Sequence, residues 1–370
     1  MRVLILTASY GSGHNAAAQS LAGAFAAAGA SATIVDHFRD LVHPVFDRVT
    51  RGLYASILRR APAIWGLAYG IGDRLASDSR WAFGMPSLGA PRLMTLLDTL
   101  APDAVVSVHA TPTLALSTLA SEGRRIPPHT TVVTDFVAHS QWIAPRVDRY
   151  CVAAEEVKHD FVARGIAPDR VVVTGVPLRA GFETPLDQRT ARRALGLSPD
   201  LPVVLAMAGA QGSFGRLSDV ARALMEVTAP VQALVLTGHD LELAAKINRL
   251  TAETGTIRTS GFVDDVRPLM AAADVLISKA GGMTLAEALA AELPLLTYGS
   301  LPGQERRNER FASRAGIALV ARRPHELSRA LERALSEPKL LDRLRTQMRH
   351  IRRPDASRHI ASLVLERTLV

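Results

Sequence analysis

The sequence predicts an α/β fold in two domains. At 370 residues the chain is too long for one ordinary hydrophobic core. Each half contains a short apolar strand, a glycine-containing turn and an alanine-rich helix, at residues 2–29 and again at residues 274–291. Strand, turn and helix in that order are typical of the βαβ units that build parallel sheets.

The composition indicates a folded protein that binds a polyanion. Hydrophobic residues make up 48% of the chain and charged residues 21%, which excludes a disordered protein. The net charge of +8 and the isoelectric point near 10.2 favour acidic lipid headgroups, phosphorylated substrates or nucleic acid. Aromatic residues are only 5%, and no basic run is interleaved with them, which argues against nucleic acid.

The sequence predicts neither a disulfide nor a membrane span. Cys151 is the single cysteine, which fits a reducing compartment and a core thiol. Residues 2–9 form a strand-length apolar run rather than a signal peptide. The uncharged stretches 15–35 and 104–121 are interrupted by Gly, Pro or hydroxyl residues. We therefore expect a cytoplasmic protein or one lying on the inner face of the cell membrane.

The first turn of the chain supports two interpretations. A strand at residues 2–9, a helix at 15–29 and a strand at 32–35 form a βαβ unit, with Gly11-Ser12-Gly13-His14 at its turn. Gly11 and Gly13 fit a dinucleotide-binding fingerprint, and Asp36 stands about twenty residues on, where a ribose-binding acid belongs. An NAD-dependent oxidoreductase is therefore the rival hypothesis.

His14 is the predicted general base. In a transfer reaction, an alcohol acceptor must lose its proton as its oxygen attacks the carbon atom that is transferred. A neutral imidazole is suited to take up that proton near pH 7. His14 stands at a helix start, where the positive end of the dipole lowers the pKa of an imidazole. The alternative is that His14 only caps the helix.

The sequence pattern from about residue 43 to residue 100 predicts an insert that lies on a membrane surface. Apolar and aromatic residues recur there at amphipathic spacing among many arginines. Pro62 predicts two short helices rather than one long helix. The predicted membrane-surface residues are Arg59, Arg60, Trp65 and Tyr69. The alternative is an ordinary capping region with a solvated basic face.

Three further strands are predicted in the first half, at residues 104–108, 131–134 and 149–153, and side chains that could line a cleft follow the first two. His109 follows the first of these strands, and Asp135, His139 and Trp142 follow the second. Polar side chains at the carboxyl ends of parallel strands line ligand clefts. The predicted acceptor or cleft residues are therefore Gly13, Asp135, His139 and Trp142.

The second half predicts a nucleotide-sugar site. A strand at residues 203–208 precedes a loop whose Gly209, Gln211, Gly212 and Ser213 suit a diphosphate. Gly281 and Gly282 begin a second anion site, where Thr284 is the expected helix cap. Glu287 suits a ribose diol, and Gln304 with Glu305 suits the hydroxyls of a hexose. The alternative is a glycine turn whose polar groups only cap helices.

Three segments resemble one family. Gly261-Phe262-Val263, Ser278 to Glu287 and Pro302 to Asn308 look like the donor half of the monogalactosyldiacylglycerol synthase and processive diacylglycerol glucosyltransferase family. That family is related to the glycosyltransferase that completes the lipid-linked peptidoglycan precursor. The glycine turn before His14 and the run from Thr134 to Trp142 also match it. Ser12, Ala208, Ala210 and Ala280 depart from its usual residues.

The resemblance implies a GT-B fold: two Rossmann-like, doubly wound domains facing a cleft. It implies an acceptor-binding domain at residues 1–177, a UDP-sugar-binding domain at 178–355, and a carboxyl-terminal helix at 356–370 that packs back on the first domain. It adds Phe262, Val263, Lys279, Met283 and Asn308 to the donor-binding residues.

The resemblance also implies the reaction. It predicts an inverting hexosyltransferase with a UDP-sugar donor, glucose or galactose, and a diacylglycerol-type acceptor on an anionic membrane surface. No cofactor and no metal are expected, because helix dipoles and loop N–H groups neutralise the diphosphate. Besides the oxidoreductase, a UDP-sugar epimerase-like or binding protein on the same fold stays open.

Overall fold

The chain forms two compact units. The computed structural model describes residues 1–9, 11–74, 88–207 and 216–367. The first unit contains residues 1–180 and 302–304 and the segment from residue 353 onward, and the second unit contains residues 181–301 and 305–352. Each unit is built on its own parallel sheet of six strands.

The sheet of the first unit has the order β2-β1-β3-β4-β5-β6. Its strands are β1 (Arg2–Thr7), β2 (Ser31–Asp36), β3 (Ala104–Ser107), β4 (His129–Val132), β5 (Arg149–Val152) and β6 (Val171–Val173). Leu4, Ile5 and Val106 are completely buried. Strands that are covered on both faces need such continuous apolar runs, which is why the sequence shows them so clearly.

Helices surround this sheet. They are α1 (Ser12–Ala27), α2 (Pro44–Arg60), α3 (Pro62–Arg74), α4 (Ala90–Leu100), α5 (Ala110–Ser121) and α6 (Glu155–Ala163), with a π-helical segment at His37–Val42 and 3₁₀ turns at Ser140–Trp142 and Pro168–Arg170. The predicted break at Pro62 is confirmed, since α2 ends at Arg60 and Pro62 begins α3. Within the described ranges no helix is both long and apolar enough to cross a bilayer.

The second unit repeats the design. Its strands are β7 (Val203–Met207), β8 (Gln232–Leu236), β9 (Ile257–Ser260), β10 (Val275–Ser278), β11 (Leu295–Tyr298) and β12 (Ala318–Ala321), in the order β12-β11-β10-β7-β8-β9. Its helices are α7 (Gln188–Ala194), α8 (Arg216–Glu226), α9 (Leu241–Leu250), α10 (Arg267–Ala272), α11 (Gly282–Ala290), α12 (Gln304–Arg314), α13 (Pro324–Ser336) and α14 (Pro338–Ile351).

The last helix, α15 (Ala356–Arg367), belongs to the first unit and packs on α1. Two hydrogen bonds hold it there. Arg149 Nη1 donates to the carbonyl of Leu363 at 2.8 Å, and Ser357 Oγ donates to the carbonyl of Leu178 at 2.8 Å. The chain therefore returns to its first unit after completing the second.

Each sheet has one point where the strand order reverses. In the first unit β1 lies next to β3, and in the second unit β7 lies next to β10. Loops that leave the carboxyl ends of two such strands diverge and open a crevice between them, where doubly wound sheets bind ligands. In the first unit these loops lead to His14 and His109, and in the second β10 leads to Lys279 and Gly281.

A buried histidine makes the first unit sensitive to acid. His129 is 1% exposed, and its Nε2 lies 2.9 Å from Ser107 Oγ. Burial lowers the pKa of His129 to about 4. The unfolded chain takes up this proton near pH 6.5 and the folded chain only near pH 4, so stability is full above pH 6.5 and is lost as the pH falls between these values.

We expect His129→Gln to flatten this pH dependence, because an amide keeps a hydrogen bond to Ser107 and does not titrate. Between pH 7 and pH 5 the wild type should lose about 2 kcal/mol more than the variant. Urea unfolding followed by tryptophan fluorescence reports on the first unit, because Trp65 and Trp142 lie in it and the sequence contains no tryptophan after residue 142. The exposed His325→Gln is the control, and equal pH dependence in wild type and His129→Gln would contradict the assignment.

Candidate functional site

His14 lies in the first turn of α1, directly after β1. The helix begins at Ser12 and not at the predicted Asn15, so His14 is helical rather than the residue before the helix. Its Nδ1 lies 2.8 Å from the carbonyl oxygen of Val108 and 3.1 Å from Thr134 Oγ1. Because a carbonyl oxygen only accepts, Nδ1 carries the proton of the neutral ring. The lone pair is therefore on Nε2, as a general base requires.

Three side chains from the carboxyl edge of the sheet surround His14. The ring of His109 contacts it edge to face, with centroids 4.7 Å apart, and the buried Trp142 ring lies 6.3 Å away. The pKa of His14 is lowered chiefly by burial, while the charge of Asp135 opposes that shift. Burial, which the sequence argument did not invoke, therefore favours the neutral base, and Asp135 favours the imidazolium that forms when the base accepts a proton.

His139, predicted as a cleft residue, braces the fold. It is buried, its Nδ1 accepts from the backbone N–H of Gln141 at 3.1 Å, and its Nε2 donates to the carbonyl of Tyr69 at 3.0 Å. Both ring nitrogens are thus engaged with the backbone, which links the segment after β4 to α3. Gly13, predicted beside the acceptor, is the half-buried second residue of α1.

Asp36, on which the NAD hypothesis depends, is engaged elsewhere. It is 1% exposed, and its Oδ1 accepts from the N–H groups of Phe38 at 3.1 Å and Arg39 at 3.0 Å. Its Oδ2 accepts from the hydroxyl of Ser9. The carboxylate therefore caps the π-helical segment and is not presented to a ribose diol.

In the second unit the helix start after β10 has open N–H groups. The helix α11 begins at Gly282 with Gly281 as its N-cap, so the prediction that Thr284 caps it is wrong. The cause is that two glycines let the chain enter the helix three residues earlier. Gly281 has no side chain to bond the N–H groups of Gly282, Met283 and Thr284, and these donors suit a phosphate. Glu287 lies half-buried in the second turn.

A partly buried ion pair lies beside this helix start. Lys279 Nζ donates to Glu305 Oε1 at 2.5 Å, and Glu305 Oε2 accepts from the N–H of Leu301 at 2.8 Å. Glu305 is 8% exposed. Asn308 is completely buried, and its Nδ2 donates to the carbonyl of Ala280 at 3.1 Å. Asn308 therefore holds the glycine turn in place, and Gln304 is the first residue of α12.

An aromatic platform follows β8 and β9. Phe262 is 44% exposed and stacks on His239, with ring centroids 4.6 Å apart and planes 13° apart. Val263 beside it is half-buried. His239 was missed from the sequence, and the only signal for it is its place three residues after the end of β8.

A small pocket lies at the switch point of the second sheet. Ser278, Lys279, Arg216 and Tyr298 are among its lining residues. Tyr298 Oη donates to Asp219 at 2.8 Å, and the Arg216 guanidinium lies 5.5 Å from the centre of the Tyr298 ring. Arg216 begins α8 and was not predicted as a site residue, because it belongs to no motif of its own after the glycine-containing loop. Lys279 and Arg216 give this pocket a positive lining.

Some predicted residues lie outside the described residues. These are Gly209, Gln211, Gly212 and Ser213, together with the side chain of Arg59. Across residues 1–9, 11–74, 88–207 and 216–367, no group of three or more His, Cys, Asp or Glu side chains is arranged to hold a metal ion.

The helices α2 and α3 present an exposed apolar surface. Six of the thirteen large apolar side chains that the described chain exposes lie on this pair: Val45, Val49, Leu53, Ile64, Leu67 and Ile71. They form one stripe on each helix, at spacings of three or four residues. Arg60 is also exposed.

The two aromatic residues predicted for the membrane surface pack against neighbouring rings. Trp65 is half-buried against Tyr54, with ring centroids 4.9 Å apart, and Tyr69 is half-buried against His139 at 4.1 Å. Helical periodicity alone does not say which apolar stripe of a two-faced helix is covered. The exposed stripes are aliphatic, whereas Trp65 and Tyr69, predicted for the membrane surface, are only partly exposed.

Comparison with known proteins connects the two units to one enzyme class. The family model for monogalactosyldiacylglycerol (MGDG) synthase matches residues 14–178, and the model for the glycosyltransferase family 28 C-terminal domain matches residues 204–358. The chain is 32% identical over 367 residues to a processive diacylglycerol beta-glucosyltransferase of Bacillus cytotoxicus, covering 99% of this chain and 93% of that protein.

Solved structures show the fold. MurG of Acinetobacter baumannii has a TM-score of 0.67 at 15% identity and the glycotransferase of kitacinnamycin 0.68 at 14%, covering 99% and 100% of this chain and 99% of each of those chains. UDP-GlcNAc 2-epimerase of Neisseria meningitidis, bound to UDP-GlcNAc, has a TM-score of 0.60 at 14% identity, covering 99% of this chain and all of that one. The predicted GT-B fold with two Rossmann-like units is confirmed, and fold alone does not separate transferases from epimerases.

Proposed function

This chain belongs to the family of monogalactosyldiacylglycerol synthases and processive diacylglycerol glucosyltransferases, and we propose that it transfers a hexose from a UDP-sugar to a diacylglycerol-type lipid with inversion. The observation that carries the chemistry is the contact of His14 Nδ1 with the Val108 carbonyl, from which the tautomer of His14 follows. Its Nδ1–H is fixed on the Val108 carbonyl at 2.8 Å, so that Nε2 is a base. Neither NAD binding at Asp36 nor hydride transfer accounts for this arrangement.

In the proposed reaction, His14 Nε2 takes the proton of the acceptor hydroxyl as the hydroxyl oxygen bonds to the anomeric carbon. The bond from that carbon to the phosphate oxygen breaks, and UDP leaves with the electron pair. Asp135 stabilises the imidazolium that results. The sugar is inverted because the oxygen attacks from the face opposite the leaving group.

The donor residues are assigned by their chemistry. The open N–H groups of Gly282, Met283 and Thr284 and the ammonium of Lys279 suit the diphosphate. Phe262 suits a flat uracil ring, and Glu287 suits the ribose diol. Gln304 and Glu305 suit the hexose, whether glucose or galactose. Because these groups neutralise the leaving diphosphate, no metal is required.

The decisive test is transfer from UDP-glucose, UDP-galactose or UDP-N-acetylglucosamine to diacylglycerol in vesicles with anionic lipid. We expect one UDP-hexose to yield a β-linked glycolipid and UDP, and EDTA to leave the rate unchanged. Release of a free or epimerised sugar without glycolipid would instead support the epimerase-like reading. Stabilisation against heat by NAD, and not by UDP, would overturn the proposal.

We also propose that the exposed apolar surface of α2 and α3 docks on the membrane that holds the acceptor, at its inner face. Aliphatic stripes flanked by arginines suit the interface of an anionic bilayer, and the net charge of +8 adds long-range attraction. The two helices pack on each other, since Tyr54 of α2 contacts Trp65 of α3. We infer that both stripes enter the same membrane surface.

We expect the double variant Leu53→Ser, Leu67→Ser to bind vesicles at least about 10-fold more weakly, because each leucine that enters the interface contributes on the order of 1.5 kcal/mol. Vesicle flotation measures this loss. Leu241→Ser is the matched control, since Leu241 is 75% exposed and lies in the second unit. Transfer to a short-chain, water-soluble diacylglycerol should be unaffected in both variants. Equal flotation of the double variant and the wild type would refute the docking surface.

A further inference from the structure

His109 is a second histidine at the switch point of the first sheet. It follows β3 as His14 follows β1, and it is the N-cap of α5. Its Nδ1 accepts from the N–H of Thr111 at 3.1 Å. An acceptor nitrogen carries no proton, so the neutral ring has its proton on Nε2. The two histidines therefore hold opposite tautomers, each fixed by a backbone group.

The His109 ring lies against the base. Its plane is inclined by 78° to that of His14 at a centroid distance of 4.7 Å, and Trp142 lies 6.4 Å from His109 and 6.3 Å from His14. His14 is thus bordered by two rings while its Nδ1 is anchored on Val108. Both histidines are half-buried, and rings that pack edge to face restrict each other's rotation and cover one side of each other.

We propose that His109 is a positioning residue for His14. Its neutral ring holds the His14 imidazole in its observed orientation. The same ring keeps water and a second positive charge away from the side of His14 that it contacts. This inference rests on the proposed function, because it takes His14 to be the base of the transfer reaction. His109 itself is assigned no contact with either substrate.

The charges around the pair agree with that division of roles. Asp135 acts on His14 and raises its pKa, against the larger effect of burial. The pKa of His109 is held well below its ordinary value by burial, and then by the charges of His14 and of His37 from the π-helical segment. The Asp135 carboxylate thus favours a proton on His14, whereas the charges of His14 and His37 disfavour one on His109.

His109→Asn tests this role, because asparagine is a good N-cap and preserves α5 while removing the ring. His43→Asn is the matched control: His43 caps α2 by the same bond, from Val45 N–H to its Nδ1 at 3.2 Å. The readouts are the NMR titration of His14 in ¹⁵N-histidine-labelled protein, and kcat and KM with a water-soluble diacylglycerol.

In His109→Asn we expect water to reach His14, so that its titration midpoint rises by roughly one pH unit, a tenfold change in its proton affinity. We expect kcat to fall about 10-fold, with KM for the UDP-hexose within a factor of two. His43→Asn should leave both readouts at the wild-type values. If the asparagine variant does not fold, His109→Ser keeps a capping side chain and repeats the test.

An unchanged His14 titration in a folded His109 variant would overturn the inference, and so would a raised KM with unchanged kcat, which would make His109 a substrate contact. The NMR readout does not need turnover. If the wild type transfers no hexose at all, the proposed function fails, while the His14 titration still decides whether His109 positions that ring.

Discussion

His14→Ala is expected to lower kcat roughly 10²- to 10⁴-fold, the contribution of a well-placed general base. The imidazole lies at the reversal of strand order in the first sheet, with Nδ1 fixed on Val108 and Nε2 left as the base. Apart from Gln304, the predicted donor residues lie in the second unit, so the dissociation constant for a UDP-hexose, measured by calorimetry, should stay within a few fold.

Two comparisons make that result specific to proton transfer. In His14→Gln the amide can still donate to the Val108 carbonyl, so this variant keeps the structural bond and loses only the base; its kcat should be as low as that of His14→Ala. An acceptor with an acidic hydroxyl, such as a phenol, needs less help from a base and should recover part of the lost rate. A glutamine variant with near-normal turnover would reduce His14 to a helix-capping residue.

The pH profile gives the same base a second signature. Burial lowers the pKa of His14, and a base works in its deprotonated form. In the wild type kcat/KM should therefore rise with pH below 6.5 and level off before neutrality. This acid limb should be absent in His14→Ala.

The sequence revealed most of the buried architecture. Strands such as β1, β7 and β10 are continuous apolar runs, because both faces of a doubly wound sheet are covered, and their ends were predicted to within about two residues. The edge strand β9 was not predicted, because its Ile-Arg-Thr-Ser sequence alternates between half-buried and exposed. The strand β4 was predicted too late, because the buried His129 and Thr130 look like loop residues.

The sites were predicted less completely, for a different reason. Chain order does not show that β1 neighbours β3, and so it does not show that His109 contacts His14. Residue type also says little about availability: Asp36 reads as a ribose ligand until its carboxylate is seen to cap a helical segment. The sequence predicts well which chemical groups lie at strand ends. It does not show which of these groups already form hydrogen bonds within the protein.

Glu305→Ala is expected to weaken binding of the UDP-hexose strongly, although the Glu305 carboxylate already has hydrogen-bond partners. Both carboxylate oxygens have partners: Oε1 bonds Lys279 at 2.5 Å and Oε2 accepts from Leu301 N–H at 2.8 Å. An ionised carboxylate retains further lone pairs for the hydroxyls of a hexose. Hydrogen bonds to a charged group contribute about 1.5–3 kcal/mol, so the dissociation constant for the UDP-hexose should rise roughly 10- to 100-fold, while that for UDP stays within a factor of about two.

Lys279→Ala supplies the contrast, because its ammonium is assigned to the diphosphate that UDP and the UDP-hexose share. That variant should weaken both ligands by the same factor, as calorimetry with each ligand can measure. If Glu305→Ala also weakens both ligands equally, the carboxylate acts only by holding Lys279 and the start of α12, and recognition of the hexose falls to Gln304. In that case the double variant Lys279→Ala, Glu305→Ala should lose no more affinity for UDP than Lys279→Ala alone. Such a result would show that the two residues act as one unit.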